Sequence, residues 1–191
     1  PGIYSLSPYT NEEVVSRDYL ASDEPSAVLN IVDATNIERN LYLTTQILEL
    51  GKPVVIALNM VDAMKKSGAA IDSKKLGERL GCKVVETVAL HGKGVKDAAK
   101  AASQAAGKEG NVPSSCFEAD VENAIAQISS LLPSSVEKKL VRWTAIKVLE
   151  RDAKVITKIK LNDADKAKVE QITAALEKSR DDDIESIITN E

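Results

Sequence analysis

Two polar residues three positions apart, Asn59 and Asp62, follow directly on an apolar run from Val54 to Leu58. An ionised aspartate accepts two hydrogens, and guanine presents two on one edge, from its ring nitrogen and its exocyclic amine. Adenine offers neither, and each hydrogen bond to a charged group is worth about 1.5–3 kcal/mol, so the carboxylate discriminates between the bases. Asn59 serves the other edge of the base and braces neighbouring loops. The segment Asn59-Met60-Val61-Asp62 therefore predicts guanine binding, although the same spacing also fits a helix cap with a turn residue.

A second loop should close over the base from the end of the next strand. The segment Glu86-Thr87-Val88-Ala89-Leu90 follows that strand in the sequence. We expect its backbone to bind, with an N–H group near Ala89 donating to the guanine carbonyl oxygen. An ordinary exit from a strand has the same sequence pattern, so this segment is informative only together with Asn59 and Asp62.

The elements that position these residues form a βαβ unit. Apolar runs at 28–32 and 54–58 predict two strands that are buried on both faces. Between them a helix is indicated by apolar residues at spacings of four and three, Leu43, Ile47 and Leu50. Gly51 ends this helix. The two strands must be parallel, and ligands of such sheets gather beyond the carboxyl ends of the strands, where Asn59 and Asp62 lie.

The pattern continues as three βα repeats. A preceding helix is predicted from Asn11 to Leu20, with Val14 and Val15 facing inward. After Asp72, which has the character of an N-cap, a helix is expected to end near Leu80. A third strand at 82–88 then leads to a helix whose predicted inward face is small, with Val95, Ala98, Ala99, Ala102 and Ala106.

A polar hinge at Lys108–Pro113 marks a change of pattern, because no strand is indicated after it. Amphipathic helices follow, and Ser134 and Glu137 stand at capping-box spacing before one of them. The sequence therefore predicts two domains, an α/β domain over residues 1–107 and a small all-helical domain over residues 108–191.

Composition excludes several classes of function. The chain has 191 residues, of which 43% are hydrophobic, and its 25 basic and 29 acidic residues give a net charge of -4. Without a dense basic cluster, nucleic acid is not an expected partner. The apolar runs are strand-length, so the expectation is a soluble chain. Cys82 and Cys116 are not at metal-ligand spacing and are expected to be reduced thiols.

The 191 residues contain no glycine-rich loop with Lys and Ser or Thr, the motif that cradles phosphates. No residue is an evident catalytic base. His91, the single histidine, has no nearby Ser or Cys arranged as a nucleophile and is expected to be a solvated loop residue.

Three segments together resemble the cytosolic region of a bacterial ferrous iron transport family, in which a Ras-like P-loop GTPase domain precedes a helical domain. They are PGIYSLSPYTNEEVVSRDYL, NIVDATNIERNLYLTTQILELGKPVVIALNMVD and KLGERLGCKVVETVALHGKGV. The resemblance implies an α/β fold and binding of GTP or GDP. It assigns Asn59, Met60 and Asp62 to the guanine-specificity motif, and Val88 and Ala89 to the base-closing loop.

The resemblance also implies a sensor of the γ-phosphate at Gly2 and a second switch region from Ile3 to about Leu20. It assigns the phosphate loop, the Thr that binds Mg²⁺ and three strands to sequence before Pro1. We therefore expect that the chain is cut, that it is inactive alone, and that it bares an apolar sheet edge beside the strand at 28–32.

As partners, the resemblance implies guanine nucleotide and a transmembrane domain of the same protein on the cytoplasmic side of the bacterial inner membrane. The sequence does not decide whether the chain forms a homo-oligomer. Two other interpretations stay open. One is a GTPase of another family with an RNA-binding second domain, and the other is a non-enzymatic α/β scaffold with a helical interaction module.

Overall fold

The computed structural model describes residues 2–6, 10–110 and 117–190. The chain forms two compact units, Pro1–Pro113 and Ser114–Glu191. The division falls at the end of the hinge predicted at Lys108–Pro113. Gly110 belongs to the first unit, because a Cβ at this position would lie only 2.3 Å from the carbonyl oxygen of Gly51.

The first unit is an α/β layer structure. Its elements in chain order are α1 (Asn11–Ala21), β1 (Val28–Asp33), α2 (Ile37–Glu49), β2 (Val54–Asn59), α3 (Val61–Lys66), α4 (Ser73–Leu80), β3 (Lys83–Glu86) and α5 (Val95–Ala105). Single-turn 3-10 helices lie at Ala34–Asn36 and Ala89–His91. The three strands are parallel in the order β1-β2-β3, with Val28 opposite Val54 and Leu58 opposite Glu86. Their carboxyl ends therefore meet at one edge, as predicted.

The two central strands differ in burial. Residues Val54–Leu58 of β2 are all buried, which confirms the prediction for that strand. The prediction is wrong for β1, where Asn30 and Val32 are buried but Leu29 is 40% and Ile31 67% exposed. Among the described residues β1 pairs with β2 alone. Its exposed face borders a groove of about 600 Å³, which agrees with the expected apolar edge.

Two helices of this unit turn a different face inward from the one predicted. In α1, Val15 is 68% exposed and Arg17 is buried. Residues three apart lie on the same helix face, so Val14 shares a face with Arg17, and Val15 lies on a different face. In α5, the more buried residues follow the spacing of one helix face, Ala98, Ala101, Ala102 and Ala105. Val95 is 42% exposed and Ala99 and Ala106 are exposed, so those three predicted core positions were wrong.

Helices are the only regular secondary structure among the described residues of the second unit, and no strand occurs there, as predicted. Its α-helices are α6 (Ala119–Leu131), α7 (Val141–Leu149), α8 (Ala153–Ile159), α9 (Asp163–Arg180) and α10 (Ile184–Asn190). The core includes Val121, Ile128, Val148 and Leu149, each with no exposed surface. The capping box predicted at Ser134 and Glu137 is wrong. The chain makes a turn after Pro133 and a single 3-10 turn at Lys138–Leu140 before α7 begins.

Arginine–carboxylate pairs join the helices of this unit. Arg142 of α7 binds both carboxylate oxygens of Glu122 in α6, at 2.7 and 2.8 Å. Arg151, after α7, pairs with Glu170 and Glu177 of α9. Arg180, the last residue of α9, pairs with Glu118 and Asp120 at the start of α6. The hydrogen bond from Arg180 lowers the pKa of Asp120 to about 2.

Candidate functional site

Asn59 links the ends of the two neighbouring strands. It is the last residue of β2, and its Oδ1 atom accepts from the Ala89 backbone N–H at 3.0 Å and from Thr87 Oγ1 at 3.2 Å. Because both partners donate, the amide oxygen faces the loop after β3 and the Nδ2 group is left as a donor. The predicted bracing role of Asn59 is therefore present in the structure.

Met60 and Asp62 begin the short helix α3 directly after Asn59. Met60 is the N-cap and has left-handed backbone dihedrals, with φ 61°, which are rare for a residue with a side chain. It is 42% exposed, whereas the next residue, Val61, is buried and anchors the helix. Asp62 is partly exposed, and within the described part of the chain its carboxylate has no hydrogen bond or ion pair. Its two oxygens are thus available for a ligand.

The loop after β3, residues 87–94, is here called the base loop. Val88 is 7% exposed, its N–H donates to Lys93 O, and its carbonyl accepts from the Lys93 and His91 N–H groups. The structure therefore gives Val88 a role in shaping the base loop. At Ala89 the expectation is that a nearby backbone N–H donates to the guanine carbonyl oxygen. The N–H of Ala89 itself donates to Asn59 Oδ1. The next donor along the loop is the N–H of Leu90, in the first turn of a 3-10 helix, where N–H groups lack an intrahelical acceptor.

Two residues at this edge were missed by sequence reasoning. Thr87 is buried and its hydroxyl bonds both Asn59 Oδ1 and Leu58 O, so it fixes the base loop to β2. Leu90 is 89% exposed beside Ala89, although it is a large apolar residue. An exposed Leu is common on protein surfaces. Leu90 becomes notable only because the Asn59–Ala89 hydrogen bond brings it to the same edge as Met60.

Gly2 lies in a different part of the unit. It is exposed and lines the groove beside β1, together with Tyr4, Tyr19 and Leu29. The segment that follows is fastened to α2, since Leu6 N donates to Gln46 Oε1 at 2.6 Å and the Arg39 guanidinium lies 4.0 Å from the Tyr4 ring centroid. The structure thus groups Asn59, Met60, Asp62 and Ala89, and gives Gly2 a separate setting.

Other candidate chemistry is absent from the described residues. They contain no group of three or more His, Cys, Asp or Glu side chains that could hold a metal ion. None of the helices within 2–6, 10–110 and 117–190 is long and apolar enough to cross a membrane. Burial raises the pKa of the Cys82 thiol to about 11, and His91 is exposed. Cys116 lies outside the described residues.

Comparisons with known proteins show the family to which this chain is similar. A family model described as ferrous iron transport protein B matches residues 1–102, and one described as the FeoB cytosolic helical domain matches residues 117–191. The Fe(2+) transporter FeoB of Escherichia coli (strain K12) is 36% identical over 156 residues, covering 80% of this chain and 20% of that protein. A Porphyromonas gingivalis fusion of Fe(2+) transport protein A with Fe(2+) transporter FeoB is 51% identical over 98 residues, covering 51% of this chain and 12% of the fusion.

Solved structures are similar over the whole chain. NFeoB from S. thermophilus bound to GDP·AlF4⁻ and K⁺ is 42% identical with a TM-score of 0.89, covering 100% of this chain and 75% of that one. The same protein bound to mGMPPNP gives 42% identity and a TM-score of 0.86, covering 100% of this chain and 72% of that one. These similarities confirm the predicted fold class, a Ras-like GTPase sheet followed by a helical domain.

Proposed function

Because this chain belongs to the ferrous iron transport protein B family, we propose that it carries the guanine-recognition part of a GTPase that serves ferrous iron transport. The chain spans about a fifth of the length of the curated E. coli relative, since the match covers 20% of that protein. Iron transport is accordingly proposed for the longer protein. This chain supplies nucleotide recognition to it.

The observation that carries the proposal is the double hydrogen bond of Asn59 Oδ1 to Ala89 N and Thr87 Oγ1. It ties the Asn59–Asp62 segment to the base loop and leaves Asn59 Nδ2 free to donate to the acceptor edge of guanine. The Asp62 carboxylate accepts from the ring N–H and the exocyclic amine on the opposite edge. The backbone N–H of Leu90, in the turn after Ala89, meets the carbonyl oxygen of the base.

Apolar contact adds to these hydrogen bonds. Met60 and Leu90 follow the two residues that the Asn59–Ala89 hydrogen bond joins, and both expose large apolar side chains. A purine ring has two apolar faces that are poorly hydrated. Burying such a face against side chains contributes about 25 cal/mol per Å² of apolar surface removed from water. Met60 and Leu90 therefore stabilise the bound base without discriminating between purines.

Hydrolysis needs residues beyond these. The 191 residues hold no phosphate-loop motif, and the described ones contain no group of three or more His, Cys, Asp or Glu side chains that could hold a metal ion. We infer that phosphate binding, the Mg²⁺ ligands and GTP hydrolysis require the longer protein, and that this chain is inactive alone. Gly2 and the segment to about Leu20 then form the γ-phosphate-sensing switch, which is ordered by nucleotide and released after hydrolysis.

The remaining assignments follow from family membership. The helical domain, proposed to begin at residue 108, connects the switch to a transmembrane domain of the same protein. The chain then lies on the cytoplasmic side of the bacterial inner membrane. A homo-oligomer is compatible with this arrangement, and nucleic acid is not a proposed partner because the chain carries a net charge of -4.

Substitution of Asp62 tests the site directly. Asp62→Asn in the full-length protein should weaken GTP binding and improve binding of xanthine nucleotide, because the amide donates where the xanthine oxygen accepts. Loss of hydrogen bonds to a charged group predicts a fall in GTP affinity of ten-fold or more, about 1.5–3 kcal/mol for each bond. The measurement is competition of GTP, XTP and ATP against a fluorescent guanine nucleotide.

Asp97→Asn, an exposed substitution in the first turn of α5, is the matched control and should bind as the unmodified protein does. Unchanged GTP affinity in Asp62→Asn contradicts the assignment. The same titration compares this chain with a form extended at its N-terminus. Binding by the extended form alone, displaced by GTP and not by ATP, supports the proposal. Binding by neither form favours the scaffold interpretation.

A further inference from the structure

A single carboxylate joins three elements of the first unit, β3, α3 and α4. Glu86 is the last residue of β3, and its Oε2 atom lies 3.2 Å from Lys65 Nζ in α3. Its Oε1 atom accepts from Ser73 Oγ, in the first residue of α4, at 3.1 Å. We call Glu86, Lys65 and Ser73 the Glu86 cluster. It has no part in base recognition as described above.

The Glu86 cluster stands close in sequence to both sides of the site. Lys65 follows Asp62 by three residues in the same helix, about one turn. Glu86 precedes Ala89 by three residues at the start of the base loop. The base loop is thus fastened by the bonds of Thr87 to Leu58 and Asn59, by the Asn59 hydrogen bond at Ala89, and by the Glu86 cluster at its root.

We propose that the Glu86 cluster holds the base loop at its working distance from Asp62 and so slows the release of guanine nucleotide. This inference rests on the proposed function. A bound base is gripped between the Asp62 carboxylate and the base loop, and it leaves when the two separate. Lys65 lies one turn after Asp62 in α3, and Glu86 is the β3 residue from which the base loop leaves, so their ion pair ties α3 to the root of the loop and opposes that separation. These residues position the loop and do not touch the base.

The strength of the restraint is modest. The Lys65 side chain is 61% exposed and that of Glu86 is 38% exposed. Exposed ion pairs contribute roughly 0.2–1 kcal/mol, which corresponds to about a 1.4-fold to five-fold change in a rate. The cluster therefore tunes the release of nucleotide and does not lock it. Because its charges face solvent, its effect also weakens as salt screens the ion pair.

A neighbouring ion pair provides a matched control. Lys74 and Glu78 lie 3.9 Å apart at positions i and i+4 of α4, with exposed side chains of the same charges. This pair stays within one helix and joins no two elements of the site. Removing it changes the local charge by the same amount as removing Lys65 or Glu86, and leaves the tether intact.

The test is the dissociation rate of a fluorescent GDP analogue from the full-length protein, chased with excess GDP. Glu86→Gln and Lys65→Met should each release nucleotide about 1.4- to five-fold faster, and the double variant should be no faster than the singles. The salt dependence of release should diminish in each. Glu78→Gln and Lys74→Met should dissociate at the original rate. Ser73→Ala, which removes a neutral partner, should give a smaller increase in the same direction.

Three outcomes overturn the inference: dissociation rates equal to the original, effects of Glu86→Gln and Lys65→Met that add in the double variant, or equal effects in the control pair. A fold disturbed by the substitutions is recognised from urea unfolding of this chain, and Ser73→Ala then decides, with an unchanged release rate counting against the inference. Failure of the unmodified protein to bind guanine nucleotide selectively refutes the proposed function instead.

Discussion

Gly94 brings the end of the base loop against the last residue of β3. A Cβ at this position would lie 2.2 Å from the carbonyl oxygen of Glu86 and 3.2 Å from its carbonyl carbon. The backbone also has φ +73°, a region that favours glycine. Gly92 shares the second property alone, because its φ is +67° and a Cβ there would meet nothing within 4 Å. A comparison of substitutions at Gly92 and Gly94 therefore distinguishes the cost of backbone strain from the cost of steric overlap.

Replacing each glycine by alanine should reveal the difference. Gly92→Ala should lower the free energy of unfolding of the first unit by about 1 kcal/mol, the cost of a side chain at positive φ. Gly94→Ala should lower it by about 2–4 kcal/mol, because the chain must also move away from Glu86 O. Urea unfolding of this chain, followed by circular dichroism, measures both. Equal losses in the two variants would show that the close approach to Glu86 carries no energy.

The candidate guanine site is predicted from the sequence where side-chain chemistry defines a residue, as at Asn59 and Asp62. Thr87 and Leu90 could not be predicted, since their roles depend on the register that places Leu58 opposite Glu86. The backbone N–H of Ala89 donates to Asn59 and not to a ligand, because backbone hydrogen bonds depend on loop geometry that cannot be inferred from the sequence. Residue identity thus predicts which groups are candidates to recognise the base, and non-local pairing decides how they are held.

At the scale of elements, local pattern predicted the three strands and most of the helices that pack on them, including the end of α4 at Leu80. Local pattern gave the wrong result where tertiary packing determines which face is buried or where a helix begins. The outward face of β1 depends on what packs beside that strand, and the first turns of α7 depend on how the chain leaves Pro133. Periodicity indicates that an element has a buried face. The tertiary arrangement selects the face and the starting residue.

The join between α6 and α9 depends on charge as well as on packing. Arg180 donates from Nε to Asp120 Oδ2 at 2.7 Å and also pairs with Glu118, so the last residue of one helix holds the start of the other. The pKa of Asp120 falls from an ordinary 3.8 to about 2 as a result. A carboxyl whose folded-state pKa is depressed adds stability above its unfolded pKa. This stability is lost as the pH falls from about 4 to about 2.

We therefore expect Arg180→Gln to reduce the acid sensitivity of the helical unit. The loss of stability between pH 5 and pH 2.5 should be smaller in the variant than in the original chain, by about 1 kcal/mol or less, because the Asp120 side chain is 45% exposed. Trp143 is the single tryptophan and is buried in this unit, so its fluorescence reports the transition in urea. Lys178→Gln, an exposed change on the same helix, should leave the pH dependence unaltered. Identical acid sensitivity in Arg180→Gln would contradict the role of the pair.

At the scale of the whole molecule, each unit has a core of its own. The first unit buries Val32, Ile56 and Leu58 of its sheet, and the second buries Val121, Ile128 and Val148 on its helices. The sequence signals this division by a change from alternating strands and helices to helices alone. Arginine–carboxylate pairs link α6, α7 and α9 within the second unit. The second unit therefore contains both a hydrophobic core and ion pairs between its own helices, as is expected of an independent domain.

The segment Ser114–Glu191, expressed alone, should fold and unfold cooperatively, with the emission of Trp143 characteristic of a buried indole. Two substitutions on α6 test whether its core is the cause. Ala124→Asp puts a charge at a position only 4% exposed and should abolish the cooperative transition, whereas Ala126→Asp, on the exposed face, should retain it. Urea titration followed by Trp143 fluorescence compares the three. A broad transition in the unmodified segment, or equal behaviour of the two variants, would mean that the core of this unit does not suffice to fold it.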